Sequence, residues 1–383
     1  MDQTQAVQDR YGAAAQAVEL ALCCPVSYDP RFLAAIPDAV LERDYGCGDP
    51  SRFVRPGETV LDLGSGGGKI CFIASQVVGD AGTVIGVDRN RDMLELARSA
   101  APQVARSIGY ANTAFRCGQI QDLALDLEAV DRWLAAHPVL SREDLFALQA
   151  EQERLRREEP LIPDGSVDVV VSNCVLNLVN ERERQQLFAE LFRVTKVGGR
   201  VAISDIVSDE DVPAHQRQDS TLWSGCISGA FREDRFLQAF VDAGFYGVCL
   251  AKRDERPWQV VDGIEYRSVT VVAYKGKQGP CSEGNHAILY PGPWSEVRDD
   301  DGHVFRRGER TAVCAKTYRL LTSEPYAAQV IGLPPYQAIP DADQQPYACD
   351  GHRARHPRET KNGELPVGYQ TGGAGCTPGS ACC

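Results

Sequence analysis

The sequence lacks the long apolar run of a membrane-spanning helix, because no stretch approaches the ~20 residues needed to cross a bilayer. Its first residues lack the basic and apolar regions of a secretory signal peptide. It has no basic stripe, and its net charge of −13 disfavours a nucleic-acid backbone as a partner. We therefore expect a cytosolic protein that binds neither membranes nor nucleic acids, and we take a monomer as the default oligomeric state.

Histidine is scarce, and the six residues show no metal-ligand spacing, so a zinc site of the usual kind is not indicated. Cysteine, by contrast, is abundant, with 14 residues. Because a reducing cytosol keeps most thiols free, we interpret these cysteines as ligands, nucleophiles or core residues rather than a disulfide framework. A transient catalytic disulfide remains compatible with that compartment.

Strands alternate with helices over most of the chain. The apolar pattern predicts strands at Thr59–Leu63, Thr83–Val87, Ala114–Arg116, Val167–Val171, Arg200–Asp205, Gly247–Ala251 and Arg267–Tyr274. It predicts helices at Ile70–Val78, Asp92–Arg98, Glu181–Lys196 and Glu233–Ala243. This alternation is typical of an α/β fold with a doubly wound, mostly parallel, Rossmann-like sheet covered on both faces.

Composition divides the chain into four regions. Residues 1–50 form a helical segment with Cys23, Cys24 and Cys47, and residues 51–275 form the α/β domain, with a helical insertion at about 122–160. Residues 276–335 form a small strand-rich C-terminal domain, with β-like pieces at Arg310–Ala315 and Thr317–Leu321. Residues 336–383 are a Pro/Gly-rich flexible tail that ends in Cys382-Cys383.

A glycine loop follows the first strand and opens the first helix of the α/β domain. In Gly64-Ser65-Gly66-Gly67-Gly68, bare backbone amides can approach a charged, nucleotide-like ligand. A phosphate-binding P-loop is excluded, because Leu63 stands where its first glycine should be and Ile70 follows Lys69. A dinucleotide fingerprint is excluded as well, because it requires glycine where Lys69 stands.

Two acidic residues frame this loop. Asp88 ends the second strand, where a carboxylate can bridge two ribose hydroxyls. Asp62 precedes the loop, where it suits a cationic ligand head such as an ammonium or a sulfonium. S-adenosylmethionine fits these features, and we predict it as the cofactor. We assign the following residues to its site: Asp62, Gly64, Ser65, Gly66, Asp88, Arg89, Gln119, Ile120 and Asn173.

Three cysteines are predicted at the same edge of the sheet, because ligands of a doubly wound sheet bind beyond the carboxyl ends of its strands. Cys71 lies one turn into the helix after the first strand. Cys174 follows the strand at Val167–Val171, and Cys226 lies in a loop downstream of Asp205. All three can open onto the cofactor, and Cys47 lies in a glycine context before the sheet begins.

The other cysteines give weaker signals. We predict Cys117, Cys249 and Cys314 to be small buried core residues, while Cys281 and Cys349 receive no assignment. The adjacent pairs Cys23-Cys24 and Cys382-Cys383 suit a soft metal or metalloid.

The chain resembles the arsenite S-adenosylmethionine methyltransferases. The resemblance is carried by Tyr45-Gly46-Cys47-Gly48, Asp62-Leu63-Gly64-Ser65-Gly66 with Cys71, Ser172-Asn173-Cys174-Val175-Leu176-Asn177-Leu178, and Gly225-Cys226. It implies a class I methyltransferase fold and an arsenic-detoxifying methyl transfer to arsenite or its thiol conjugate. It also implies that Cys174 and Cys226 bind As(III), that Cys71 is a third thiolate, and that Cys47 can pair with Cys71. A thiol reductant such as thioredoxin or glutathione is then a further partner.

Two alternatives stay open at this point. One is an S-adenosylmethionine methyltransferase for another small acceptor, such as antimonite or an organic thiol or amine, which the cysteine-rich edge disfavours. The other is a non-catalytic metalloid-binding protein, which the intact loop with Asp62 and Asp88 disfavours, because sequestration needs no methyl donor.

Overall fold

The computed structural model describes residues 3–16, 19, 26–43, 45–349 and 352–361. The chain divides into two compact units, Met1–Gly276 and Lys277–Cys383, which we call the N-terminal and C-terminal units. The cysteine pairs Cys23-Cys24 and Cys382-Cys383 lie outside the described residues, so their predicted affinity for a soft metal stays a prediction. None of the described helices is long and apolar enough to cross a membrane.

The N-terminal unit is built on a sheet that has nine strands among the described residues. These are β1 Thr59–Leu63, β2 Thr83–Asp88, β3 Thr113–Cys117, β4 Val167–Asn173, β5 Thr195–Ser208, β6 Phe231–Arg232, β7 Tyr246–Arg253, β8 Gln259–Val261 and β9 Ile264–Tyr274. Their order is β3-β2-β1-β4-β5-β9-β7, with β6 beside β5 and β8 beside β9. The strands from β3 to β5 in this order are parallel, whereas β9 is antiparallel to both β5 and β7. The predicted mostly parallel α/β sheet is confirmed.

Helices cover both faces of this sheet. They are α1 Gln3–Gln16, α2 Pro30–Leu33, α3 Asp38–Leu41, α4 Lys69–Val78, α5 Arg91–Ile108, α6 Leu127–Ala136, α7 Arg142–Glu158, α8 Arg184–Val194, α9 Ala214–Arg217, α10 Ser220–Ser224 and α11 Glu233–Asp242. One apolar core contains Phe72 of α4 and Leu94 of α5. A second contains Leu187 of α8 and Phe240 of α11. The predicted insertion between β3 and β4 is helical and consists mainly of α6 and α7.

Local capping explains where α5 begins and ends. The side chain of Asn90 accepts hydrogen bonds from the backbone N–H groups of Asp92 and Met93, at 3.0 and 3.1 Å. These bonds satisfy donors that the first helical turn leaves without partners. Gly109, in the left-handed region at φ 92°, ends the helix. The capping residue therefore places the loop after β2, with Asp88, close to the start of α5.

Cys249 is exposed, so the prediction that it belongs to the core was wrong. The apolar run around it does form a strand, β7, but β7 lies at the end of the sheet and pairs with β9 alone among the described strands. Cys117 in β3 is buried as predicted, at 2% exposure. An apolar strand therefore does not by itself show that each of its side chains is buried.

The C-terminal unit consists of short strands around a small core. The strands are β10 Ser282–Glu283, β11 Ala287–Leu289, β12 Glu296–Arg298, β13 Val304–Arg306, β14 Arg310–Ala312, β15 Ile331–Leu333 and β16 Gln345–Pro346. The helices are α12 Ala315–Leu321 and α13 Pro357–Thr360. The core contains Ile288, Tyr290, Phe305, Val313 and Leu321.

Two expectations for this unit were wrong. The stretch Thr317–Leu321, predicted as a strand, lies in α12, because Cys314 caps that helix by accepting a hydrogen bond from Thr317 N at 3.3 Å. The predicted tail was also placed too early, since β16 pairs with β10. Beyond β16, the buried Arg355 forms ion pairs with Glu283 and Glu359, at 2.7 and 3.0 Å, which hold the following segment in the fold.

Candidate active site

A cavity of about 220 Å³ lies where β1, β2, β3 and β4 end. Because these strands are parallel, their carboxyl ends meet at one edge of the sheet. All nine residues predicted for the cofactor site contribute to its lining: Asp62, Gly64, Ser65, Gly66, Asp88, Arg89, Gln119, Ile120 and Asn173. Of the four cysteines singled out from the sequence, Cys174 is in the lining.

The glycine loop is folded tightly against β2. Gly64 N and Ser65 N donate hydrogen bonds to Val87 O at 2.8 and 3.1 Å. Gly64 has a φ of 66°, and a Cβ at this position would lie 2.4 Å from Val175 Cγ1. Both observations require glycine there. The hydroxyl of Ser65 is buried and has no hydrogen-bond partner among the described residues, which indicates a polar group of a ligand at this position.

Asp88 joins the loop to the start of α5. Its Oδ2 accepts a hydrogen bond from Gly66 N at 2.9 Å, and its Oδ1 accepts one from Asn90 N at 2.8 Å. Burial raises the pKa of Asp88, while these backbone donors act in the opposite direction. Each carboxylate oxygen can accept a further hydrogen bond. The carboxylate is thus fixed at the cavity wall with capacity left for ligand hydroxyls.

Cys71 lies beneath the cofactor cavity and does not join the other thiols. It lies within α4, fully buried in the apolar core, and its Sγ donates a hydrogen bond to Asp62 Oδ2 at 3.2 Å. Burial raises the pKa of the Cys71 thiol well above its usual range, and the negative charge of Asp62 raises it further. The thiol therefore stays protonated and orients the Asp62 carboxylate.

Cys47 forms a disulfide with Cys174, which corrects the implied pairing with Cys71. The reason is Asn173, whose Oδ1 accepts hydrogen bonds from Cys47 N at 2.9 Å and Gly48 N at 3.0 Å, and whose Nδ2 donates to Gly48 O at 2.8 Å. The side-chain amide thus holds the Cys47 loop against the end of β4. A Cβ at Gly46 would lie 2.0 Å from Asn173 Nδ2, so this approach requires glycine.

Asn177 holds the Cys226 loop in a comparable way. Its Nδ2 donates to Ile206 O at 2.6 Å and lies 3.4 Å from Cys226 O. A Cβ at Gly229 would lie 1.9 Å from Asn177 O, so the Cys226 loop can pack this closely only with glycine there. The Sγ of Cys226 in turn donates to Cys174 O at 3.2 Å. The two loops are therefore held in contact, although Cys226 itself is not in the cavity lining.

The backbone at Cys174 and at Cys226 is in the left-handed region, with φ 63° at both residues. In the described chain, positive φ occurs at four residues other than glycine, and two of them are these cysteines. Such a conformation costs about 1–3 kcal/mol per residue, persists only where surrounding contacts enforce it, and is concentrated at functional sites. The strained backbone therefore coincides with the two cysteines that the sequence resemblance implies as arsenic ligands.

A buried carboxylate supports the Cys174 turn. Asp205 accepts hydrogen bonds from Leu176 N at 2.9 Å, Ile206 N at 2.8 Å and Asn177 Nδ2 at 2.8 Å. Burial raises the pKa of Asp205 to about 7, with the backbone donors acting in the opposite direction. One oxygen of Asp205 and the sulfurs of Cys47 and Cys174 lie within 4.8 Å of one another. A titratable group thus lies beside the sulfur atoms of the Cys47–Cys174 disulfide.

Helix α1 also contributes to the site, although no sequence pattern predicted this. Tyr11 lines the cavity, and its hydroxyl lies 4.0 Å from Cys226 Sγ. Burial raises the pKa of Tyr11 well above its usual range, so the hydroxyl remains a hydrogen-bond donor next to that sulfur. Arg10 ties α1 to α10 by donating to Ser224 Oγ at 3.0 Å. No motif surrounds these two residues, and the sequence offered no signal for them.

Comparison with known proteins agrees with this geometry. A family model described as "Methyltransferase domain" matches residues 55–154 and 141–244. An arsenite methyltransferase of Aquipseudomonas alcaligenes is 29% identical over 344 residues, which are 84% of this chain and 88% of that protein. An arsenite methyltransferase of Halobacterium salinarum is 36% identical over 232 residues, which are 60% of this chain and 48% of that protein.

The chain is similar to arsenite methyltransferases over most of its length. It is an S-adenosylmethionine-dependent methyltransferase. The crystal structure of an arsenic(III) S-adenosylmethionine methyltransferase from Chlamydomonas reinhardtii has the same fold, with a TM-score of 0.55 and 24% identity. That alignment covers 87% of this chain and 100% of the other. A second family model, described as a domain of unknown function, matches residues 277–365 of this chain.

The residues of the cavity fit S-adenosylmethionine. When bound, this cofactor supplies a methyl group on a positively charged sulfur. The carboxylate of Asp62, in the cavity lining, suits that cationic end. The fixed oxygens of Asp88 suit ribose hydroxyls, and the buried Ser65 hydroxyl has capacity for a further hydrogen bond.

Replacement of Asp88 tests this assignment. Asp88→Asn keeps the size of the side chain but removes a charged acceptor, so we expect S-adenosylmethionine to bind at least about tenfold more weakly by titration calorimetry. Asp92→Asn, at an exposed position in the first turn of α5, is the matched control and should bind normally. Equal affinity of the Asp88 variant and the wild type would contradict the ribose assignment.

Proposed function

We propose that this protein transfers the methyl group of S-adenosylmethionine to trivalent arsenic bound by Cys174 and Cys226. The supporting observation is that Cys174 lines the cofactor cavity while the hydrogen-bonded Cys226 loop packs directly against it. The names of the relatives agree with this substrate. The left-handed backbone at both cysteines supports a functional rather than a structural role.

Trivalent arsenic is soft and binds thiolates in preference to oxygen ligands. Two As–S bonds to Cys174 and Cys226 replace two As–O bonds of arsenite, and each cysteine proton leaves with a hydroxide as water. When the substrate is a thiol conjugate, the displaced ligands leave as thiols instead. Arsenic keeps its lone pair in either case, and this lone pair is the nucleophile.

This nucleophile carries no proton, so the reaction requires no general base. The described residues that line the cavity include no histidine, which is compatible with such chemistry. The protein then contributes mainly by holding the two reactants in a fixed arrangement, an effect that can supply ~7–11 kcal/mol. Asn173, Asn177 and Asp205 provide the rigid frame that this contribution needs.

The disulfide gives the proposed site a redox requirement. Cys174 cannot bind arsenic while it is bonded to Cys47, so an external reductant must first break the S–S bond. Two glutathione molecules, or the dithiol of thioredoxin, supply the two electrons and two protons and are themselves oxidised to a disulfide. We therefore propose that Cys47 controls access to Cys174. Cys71 donates a hydrogen bond to Asp62, and binding of arsenic by Cys71 would break this bond. We therefore propose that Cys71 is a positioning residue for Asp62 in the observed conformation.

Product analysis of cysteine variants tests the ligand roles. We expect Cys174→Ser and Cys226→Ser to lower the yield of methylated arsenic by at least about 100-fold, because arsenic loses its fixed position. Binding of S-adenosylmethionine should persist in both. Arsenic species are separated by chromatography with elemental detection after incubation with arsenite, the cofactor and a reductant.

Cys249→Ser, which changes an exposed thiol of β7, is the control and should give a normal yield. Normal yield in the Cys174 and Cys226 variants would refute their roles. If the wild type binds arsenite and cofactor yet forms no methylated product, the protein sequesters arsenic and the proposed activity is wrong.

The redox requirement makes a separate prediction. Wild-type protein isolated without reductant should take up no arsenite at Cys174, and prior treatment with a reductant should restore uptake. Cys47→Ser should take up arsenite without that treatment, because Cys174 can no longer form the disulfide. Arsenic bound at Cys174 is measured, after removal of the free ion, as the amount that is lost when Cys174→Ser is added to each protein. The same reductant dependence in Cys47→Ser and in the wild type would exclude control by Cys47.

A further inference from the structure

Three cysteines of the C-terminal unit lie together. Cys281, Cys314 and Cys349 come from separate segments, yet their sulfur atoms all lie within 4.8 Å of one another. None of the three is in a disulfide. The sequence had assigned Cys314 to the core and given the other two no role. We call this set the thiol cluster.

Backbone pairing fixes the position of two members. Cys281 directly precedes β10, which pairs with β16, and Tyr347 N donates to Cys281 O at 2.9 Å just after β16. The hydroxyl of Tyr347 donates to Ala312 O at 3.1 Å, two residues before Cys314. The segments that carry Cys281 and Cys349 are thereby held next to the end of β14.

The third member is fixed by its own contacts. Cys314 is fully buried, its Sγ accepts a hydrogen bond from Thr317 N at 3.3 Å, and it lies 3.2 Å from Thr317 Oγ1. Arg355, with 1% of its side chain exposed, bridges Glu283 and Glu359 and so closes the fold beyond Cys349. Because independent contacts hold the three thiols this close together, they form a prearranged binding site for a soft metal or metalloid ion.

The number of protein ligands in the thiol cluster indicates which ion it binds. Among the described residues, no histidine, aspartate, glutamate or further cysteine offers a ligand atom within this cluster. Structural zinc sites use four protein ligands. Trivalent arsenic bonds to three thiolates and keeps a lone pair in the fourth direction, which matches three sulfurs.

We propose that the thiol cluster binds one trivalent arsenic ion, at a site separate from the methylation site. Three As–O bonds of arsenite are replaced by three As–S bonds, and the three thiol protons leave with the hydroxides as water. The choice of arsenic among soft ions rests partly on the proposed function. The proposal gives a binding chemistry to a region whose family model is described as having unknown function.

The test measures bound arsenic in the full-length, reduced protein that carries Cys174→Ser and Cys226→Ser, so the methylation site cannot contribute. After incubation with arsenite and removal of the free ion, arsenic per chain is determined by elemental mass spectrometry. Adding either Cys281→Ser or Cys349→Ser should remove one arsenic per chain, whereas adding Cys249→Ser should remove none. In the protein whose thiol cluster is intact, X-ray absorption should show three sulfur neighbours for the arsenic that Cys281→Ser or Cys349→Ser removes.

Cys281 and Cys349 are partly exposed, so their serine variants are preferred to a change at the buried Cys314. If one variant unfolds by circular dichroism, the other gives the result. Unchanged arsenic in a folded variant would overturn the proposal. One zinc ion per purified chain that arsenite does not displace, and that is lost in Cys281→Ser, would overturn it as well. Neither outcome depends on whether the wild type methylates arsenite.

Discussion

The candidate site depends on two asparagine side chains, Asn173 and Asn177, which lie on either side of Cys174 in the sequence. One binds the backbone of the Cys47 loop, and the other contacts the carbonyl of Cys226. Each bond is of ordinary strength, worth about 1 kcal/mol net. Together they bring three cysteines from distant parts of the chain to the end of one strand.

The same contacts explain how the site keeps a strained backbone. Left-handed φ values at Cys174 and Cys226 cost about 1–3 kcal/mol each. The left-handed conformation is enforced by hydrogen bonds from the turn to Asp205 and by the close approaches at Gly46 and Gly229. The cofactor half of the site is built differently, from the glycine loop, Asp88 and the Asp62–Cys71 hydrogen bond. In the structure, Cys71 therefore groups with Asp62 of the cavity lining, and Cys47 groups with Cys174.

This division shows what could be predicted from the sequence. The strands, the glycine loop and the two carboxylates carry local patterns, and local patterns place them at one edge of a parallel sheet. The partner of Cys47 could not be predicted in this way, because its loop is positioned by a residue 126 places away. Tyr11 was missed for the same reason, since its position next to Cys226 comes from packing across 215 residues. In the C-terminal unit, helix α12 forms at a β-branched and aromatic stretch because Cys314 caps it.

The most direct test of the account is a crystal structure of the reduced protein with bound arsenite, with data collected at the arsenic absorption edge. We expect an anomalous peak bonded to the sulfurs of Cys174 and Cys226, beside the cofactor cavity, with the hydrogen bonds of Asn173 and Asn177 preserved. A peak at Cys71, with its hydrogen bond to Asp62 broken and Cys174 free of arsenic, would contradict it.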